Sequence, residues 1–209
     1  MVDNFDRLRE FMKFDKQGDF YFLELIQRKK DGCNVRSCSN NFHRLVKDFY
    51  ITSVEKYDSI KDEVISLCNA TNARAYLRLN KRNYKDVCMA FAERVLNKIR
   101  TNQEFKNPQR EIACVIGEFH SAGNDKTWVV DCDDTTLSEE RVGKVLSKIS
   151  QCEPIGIEKV AALIPTKSGV HIISKPFNMD KFNEKVDDLR NEGGEIEIKK
   201  DNPTLLYCP

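Results

Sequence analysis

Two short stretches carry the residue types best suited to chemistry. The first, Trp128-Val129-Val130-Asp131-Cys132-Asp133, ends an apolar run on two carboxylates spaced i, i+2. On an extended chain that spacing points both side chains to one face. Two like charges held together raise the pKa of one of them, a cost that a divalent cation removes. Hard oxygen donors suit Mg²⁺ or Mn²⁺, which take one or two carboxylates plus substrate phosphates. Two such ions stabilise both the attacking and the leaving oxygen of an in-line phosphoryl displacement. The second stretch, Thr166-Lys167-Ser168-Gly169-Val170-His171, offers a cation, a hydroxyl, an imidazole and a glycine whose backbone can approach a ligand closely. Lys167, Ser168 and His171 are the candidates for holding phosphates. Glu195, Glu197 and Asp201 add late acids. A bare Asp-x-Asp fits a strand-end turn with solvated acids equally well, so the elements that position these residues matter.

Around these stretches the second half of the chain reads as strand, helix, strand, strand, helix, strand. Trp128–Val130 is an apolar strand. Residues 138–149 place Val142, Val145, Leu146 and Ile149 on one side of a helix. Val160–Ile164 and Val170–Ser174 flank the turn Pro165–Gly169 as a hairpin. Residues 179–191 form a helix through Phe182, Val186 and Leu189, stopped by Gly193-Gly194. Glu195–Lys199 alternates as a last strand. The order is that of the ferredoxin-like, RRM-like βαββαβ unit. In such a sheet the first strand lies between the third and fourth, both antiparallel to it. The end of the first strand, with Asp131 and Asp133, then meets the starts of the strands carrying His171 and Glu195–Glu197.

The first half reads as mostly helical. Residues 3–14 carry Phe5, Leu8, Phe11 and Met12 at helical spacing, whereas Phe20–Ile26 fits helix or strand. Residues 28–41 form a polar loop. Thr52 and Glu55 fit a capping box opening a helix through Tyr57, Ile60, Val64 and Cys68. Ala73–Asn80 alternates as a half-buried strand, and a strong amphipathic helix runs from Tyr84 to Ile99. A shorter helix is expected over 107–119. The expected architecture is therefore α+β. A helical and mixed region over 1–125, with one strand near 73–80, packs on a ferredoxin-like module over 126–209.

With 209 residues the chain is long enough for a real core. Its 40% hydrophobic and 32% charged residues describe a globular mix. Lys+Arg 34 against Asp+Glu 33 leaves a formal charge of +1, which excludes a basic footprint over the whole surface but not a local basic groove. The longest apolar runs, Ile112–Ile116 and Val160–Ile164, are far short of the roughly 20 residues that span a bilayer, so no membrane role is expected. The start, Met-Val-Asp-Asn-Phe-Asp-Arg, lacks a signal-peptide pattern. The eight scattered cysteines are accordingly expected as reduced thiols in a cytoplasmic protein.

The order apolar-apolar-Asp-x-Asp, then Ser-Gly-x-His-apolar-apolar, then a late acid resembles the archaeo-eukaryotic primase superfamily, over about residues 126–209. Asp201 with Leu205-Leu206-Tyr207-Cys208-Pro209 is similar to the family's third motif at compressed spacing, and Glu197 is the fallback acid. The resemblance implies an RRM-like catalytic sheet and nucleotidyl transfer on a nucleic-acid template with two Mg²⁺ or Mn²⁺ ions. Asp131, Asp133 and Asp201 would be the ligands and catalytic acids. Ser168 and His171 would contact the incoming nucleoside triphosphate. It further implies a single-stranded DNA template and a helicase or other replication protein as a partner.

Other readings compete. Val-Val-Asp-Cys-Asp-Asp-Thr-Thr-Leu also looks like the first motif of haloacid dehalogenase-type phosphatases, with Asp131 as nucleophile and Asp133 as acid/base. That fold needs a long parallel sheet after the motif. A non-catalytic RRM-like module that binds nucleotide or nucleic acid is the third reading. Arg74, Tyr76 and Arg78 share a strand face, followed by Lys81 and Arg82, and this patch is the candidate nucleic-acid contact. By itself it also fits a solvated strand face. Cys33, Cys38 and His43 lack an adjacent fourth ligand and read as ordinary loop residues rather than a zinc site.

Overall fold

The computed structural model describes residues 1–28, 43–104, 107–118, 126–133, 138–191, 194–200 and 203–209. In chain order they form β1 (Val2–Asp3), α1 (Phe5–Arg9), β2 (Asp19–Arg28), β3 (His43–Ile51), α2 (Val54–Ser59), α3 (Lys61–Thr71), β4 (Arg74–Asn83), α4 (Tyr84–Arg100), α5 (Pro108–Glu118), β5 (Trp128–Asp133), α6 (Glu139–Ser150), β6 (Val160–Pro165), β7 (Gly169–Ser174), α7 (Met179–Asn191), β8 (Glu195–Lys199) and β9 (Pro203–Cys208). The fold is mixed α+β, built on two antiparallel sheets. One has five strands in the order β1-β9-β4-β2-β3, the other four in the order β6-β7-β5-β8.

In the four-stranded sheet the two-residue alternation separates two cores. Trp128, Val130 and Cys132 of β5, Val170 and Ile172 of β7 and Ile196 of β8 pack under α6 and α7. Those helices return Val145, Ile149, Phe182, Val186 and Leu189. Each such large side chain contributes about 1.5–3 kcal/mol on burial. Ser138 starts α6 by accepting from the Arg141 N–H at 3.2 Å, with Glu139 and Glu140 in the positive first turn. The opposite face carries Val129, Ile164 and Ile173. These share a core with Leu23, Leu25, Ala75, Leu77 and Leu206 of the five-stranded sheet. The sheets therefore face each other, and residues 131, 133 and 171 lie on the inward-looking side. Asn4, itself buried, staples the two together: its amide donates at 2.9 Å to the carbonyls of both Pro165 and Leu205.

The first half departs from the mostly helical expectation over 1–125. β2 and β3 are strands and pair with each other, so β4 is not a lone strand. β2 escaped pattern reading because both its faces are buried near its start. Tyr21, Leu23 and Leu25 face the inter-sheet core, whereas Phe20 and Phe22 face Val87, Ala90, Val115 and Ile116 of α4 and α5. Strands apolar on both sides do not alternate. The helix expected over 3–14 is confined to α1, and its start is set back because Val2–Asp3 pairs with β9. The second helix is capped by Ser53, which accepts from the Lys56 N–H at 3.1 Å, rather than by Thr52. The boundary at 125 is also crossed: β9 leaves the C-terminal segment and inserts between β1 and β4.

Candidate functional site

Pairing register fixes the neighbours of the acidic pair. On β5, Asp131 stands opposite His171 of β7 on one side and Glu197 of β8 on the other. Asp133 stands opposite Gly169 and Glu195. The Pro165–Gly169 turn is closed by the Thr166 N–H donating to the Gly169 carbonyl at 2.9 Å. It brings Ser168 back to β5, where its hydroxyl donates to Asp133 Oδ1 at 3.3 Å. Lys167 lies exposed beside it.

Asp131 is the centre of a buried polar chain. It is 7% exposed and His171 is 6% exposed. His171 Nε2 lies 3.2 Å from Asp131 Oδ1, so the imidazole projects to the same sheet face as the carboxylate. Lys199, one turn of alternation beyond Glu197 on β8, donates its ammonium to Asp131 Oδ2. His171 Nδ1 is 3.0 Å from Thr204 Oγ1, a fully buried hydroxyl of β9 in the other sheet. A carboxylate only accepts, so a hydrogen bond across the Asp131–His171 contact needs its proton on Nε2, and which of Nδ1 and Thr204 Oγ1 donates follows the imidazole tautomer. Burial alone would raise the Asp131 pKa. His171 and Lys199 outweigh it and bring the group down to about 2. Between the acids, Cys132 points the other way, and burial pushes its thiol up to about 12. It is an inert core residue rather than a nucleophile.

The residues called on for phosphates thus divide into two layers. His171 is held in the interior against Asp131, and Ser168 and Lys167 stand at the rim beside Asp133. Gly169 serves backbone packing and not ligand approach, because a Cβ there would come within 1.9 Å of the Cys132 carbonyl oxygen. Asp201 lies outside the described residues, as do Cys33 and Cys38, and of His43 only the backbone is described. Glu197 is the third acid present at Asp131, and it is exposed. Among the described residues no group of three or more His, Cys, Asp or Glu stands close enough to hold a metal ion.

The Arg74–Arg82 patch is corrected. Arg74 and Arg82 are buried, at 8% and 1% exposure. The Arg82 guanidinium donates to the carbonyls of Ile116, at 2.8 Å, and Asn80. Burial lowers its pKa to about 9, which leaves it charged at neutral pH. It terminates α5 against β4 and cannot reach a solvent-borne strand. Arg78 pairs with Glu24 at 3.1 Å, and the Tyr76 hydroxyl accepts from Arg28 at 3.0 Å. The helices α4 and α5 cover the Arg82 end of this sheet face, which alternation within one strand could not reveal.

Lys199 and Thr204 are the site residues that sequence reasoning missed. Lys199 was accessible to it: Glu195, Glu197 and Lys199 alternate, so all three share the face of Asp131. Thr204 was not, since it arrives from the other sheet. All three strand pairs of the four-stranded sheet are antiparallel, which removes the phosphatase reading's structural basis, a parallel sheet after the first motif. No helix of the described residues is long and apolar enough to cross a membrane. Comparison with family models, with curated proteins and with solved structures finds no match to this chain.

Proposed function

We propose that this chain is a primase-type nucleotidyl-transfer module that binds a nucleoside triphosphate at Asp131, Asp133, Ser168 and His171 and extends a strand on a nucleic-acid template. The observation that carries the reading is the in-register opposition of Asp131 and His171 across β5 and β7, with Ser168 on Asp133. Support for a ferredoxin-like catalytic sheet comes from the strand order β8-β5-β7-β6 and from α6 and α7 packed together on one face. The cation implied is Mg²⁺ or Mn²⁺. Asp131 and Asp133 suit it in chemistry as hard oxygen donors, and the Lys199 ammonium on Oδ2 marks a position where a positive charge is already accepted. When bound, such an ion lowers the charge repulsion between the triphosphate and the acids.

The chain's own residues then divide the work. Asp131 and Asp133 hold the cationic side of the site. His171, whose Nδ1 lies 3.0 Å from Thr204 Oγ1, presents Nε2 to the carboxylate and would contact a phosphate oxygen bound there. Lys167 and Ser168 give charge and a hydroxyl at the rim. Asp201, which lies outside the described residues, is the third acid of this reading, with Glu197 as the fallback.

The test is pyrophosphate release from nucleoside triphosphates with Mn²⁺ or Mg²⁺, with and without a primed single-stranded DNA template. Template-dependent release, lost in Asp131→Ala and in Asp133→Ala, supports the reading. Phosphate release from monoesters without template, abolished by Asp131→Asn, would overturn it. Triphosphate binding by calorimetry with no turnover on any template would leave the non-catalytic RRM-like reading.

A further inference from the structure

A cavity of about 280 Å³ opens at the seam between the two sheets, beside the start of β5. Tyr21 and Leu79 wall it from the five-stranded sheet, and Ala161 of β6 and Thr127 from the other side. Four lysines reach it from separate segments: Lys13 after α1, Lys81 on β4, Lys126 before β5 and Lys175 after β7. The backbone around the three that lie outside strands is pinned. The hydroxyl of the buried Tyr21 donates to the Phe11 carbonyl at 2.9 Å and accepts from the Lys13 N–H at 3.1 Å. The buried Asn80 side chain accepts from the Thr127 N–H at 2.8 Å and donates to the Thr127 carbonyl at 3.1 Å, so the residue after Lys126 is tied to β4. The Lys175 N–H donates to the Lys159 carbonyl at 2.8 Å and extends the β6–β7 ladder.

The charges at this opening are not balanced. Lys81 is committed to Asp15 and to Asp19, the latter at 3.7 Å. Lys13, Lys126 and Lys175 form no ion pair with a described residue, and Glu10 is the acid in the lining. Elsewhere lysines find acids within the chain, as Lys47 does in Glu63, Lys148 in Asp188 and Lys181 in Glu153. With 34 basic residues against 33 acidic ones, the local excess comes from placement and not from composition. Like cations converging on one opening repel one another, and an anion that enters removes the repulsion. The cavity holds the liquid volume of roughly nine waters, more than a halide fills. Ammonium groups arriving from three directions match an anion whose two or three charges are spread over several oxygens. We infer that the cavity binds a small multivalent oxyanion, a polyphosphate or polycarboxylate of about ten non-hydrogen atoms, at a site separate from Asp131 and Asp133 and independent of the nucleotidyl-transfer reading. Because its lysines come from both sheets, the bound anion ties the sheets together and adds to fold stability by mass action.

The experiment is calorimetric titration of the full chain with inorganic pyrophosphate and with citrate, at low salt and in EDTA, alongside thermal melting. EDTA keeps metal-dependent binding at the acidic pair out of the readout. The full chain should bind one of the two anions and melt higher in its presence. The triple variant Lys13→Gln, Lys126→Gln, Lys175→Gln should bind that anion roughly 30-fold more weakly and lose the rise in melting temperature. Without anion it should melt no lower than the parent, since unpaired like charges have been removed. A second triple variant, Lys56→Gln, Lys85→Gln, Lys144→Gln, removes the same charge from exposed positions on α2, α4 and α6 and should stay within about threefold of the parent. Tighter binding of pyrophosphate assigns a polyphosphate ligand, and tighter binding of citrate a polycarboxylate. Equal losses in the two triple variants would overturn the inference, as would acetate binding as tightly as either probe, or neither probe giving heat or a melting shift. A lysine triple variant that melts well below the parent without anion would assign these lysines to the fold and overturn it as well.

Discussion

Replacing Asp131 by Asn removes one negative charge from between His171 and Lys199 while keeping the side chain's volume. The folded-state carboxyl titrates near 2, against an ordinary value of 3.8. A folded pKa below the unfolded one means that the ionised group stabilises the fold above the unfolded pKa, and that this contribution fades as pH falls through the folded value. The difference corresponds to about 2 kcal/mol at neutral pH. Because Asp131 is almost wholly buried, solvent screening takes little from that figure. Lys199 is 39% exposed and can turn its ammonium back to water once the partner is gone. The loss should therefore not grow to the larger cost of stranding a buried cation. For a chain of this size, about 2 kcal/mol lowers the melting temperature by roughly 4–8 °C. Urea unfolding of parent and variant, run from pH 7 down to pH 2, should show a constant gap above about pH 4 that closes as pH approaches 2. A gap of the same size at pH 2 would show that the Asp131→Asn change costs packing rather than charge. No gap at pH 7 would show that the three-residue contact contributes no stability.

Three further outcomes follow from the same geometry. Gly169→Ala should cost roughly 3 kcal/mol or more in denaturant unfolding, since its Cβ meets backbone on β5 that cannot yield without shifting the Asp133 register. Arg82→Met should destabilise by about 3 kcal/mol by leaving the Ile116 and Asn80 carbonyls without their donor, and a mutant that unfolds normally but binds nucleic acid weakly would contradict its structural assignment. Thr204→Val should cost about 1–2 kcal/mol and impair turnover more than nucleotide affinity, because it frees the His171 ring without touching the phosphates; unchanged turnover would remove Thr204 from the positioning role.

Where burial is one-sided, the sequence was legible. β8 and the helices α6 and α7 follow from alternation and 3.6-residue spacing, since each presents one apolar face to a single core, whereas β5 and β7, buried on both faces, read as short continuous apolar runs. The shared face of Asp131 and His171 follows from the same rule. β3 was hidden: Arg44, Lys47 and Asp48 interrupt its apolar positions, and its pairing with β2 is shifted by a bulge. β9 was hidden for another reason. Thr204-Leu205-Leu206-Tyr207-Cys208 is buried throughout, so it shows no period at all. Arg82 illustrates the limit of a single strand's pattern, because whether an outward residue meets water depends on α4 and α5 lying over it. Lys199 on Asp131 and Thr204 on His171 are long-range contacts that only the assembled sheets create.

The placement of β9 sets an order of events for the ribosome. A strand made after all the others fills the gap between two of the earliest, β1 and β4. Until it emerges, β1 has no partner and one edge of β4 carries unpaired N–H and C=O groups open to other chains. The four-stranded sheet is built from strands contiguous in sequence, β5 through β8. The closing contact of β9 with β1 and β4 spans well over a hundred residues of sequence, a separation that slows folding. Thr204 travels on that last strand. The His171 ring consequently gains its buried partner only when the first sheet closes, so completion of the fold and orientation of the imidazole are a single step.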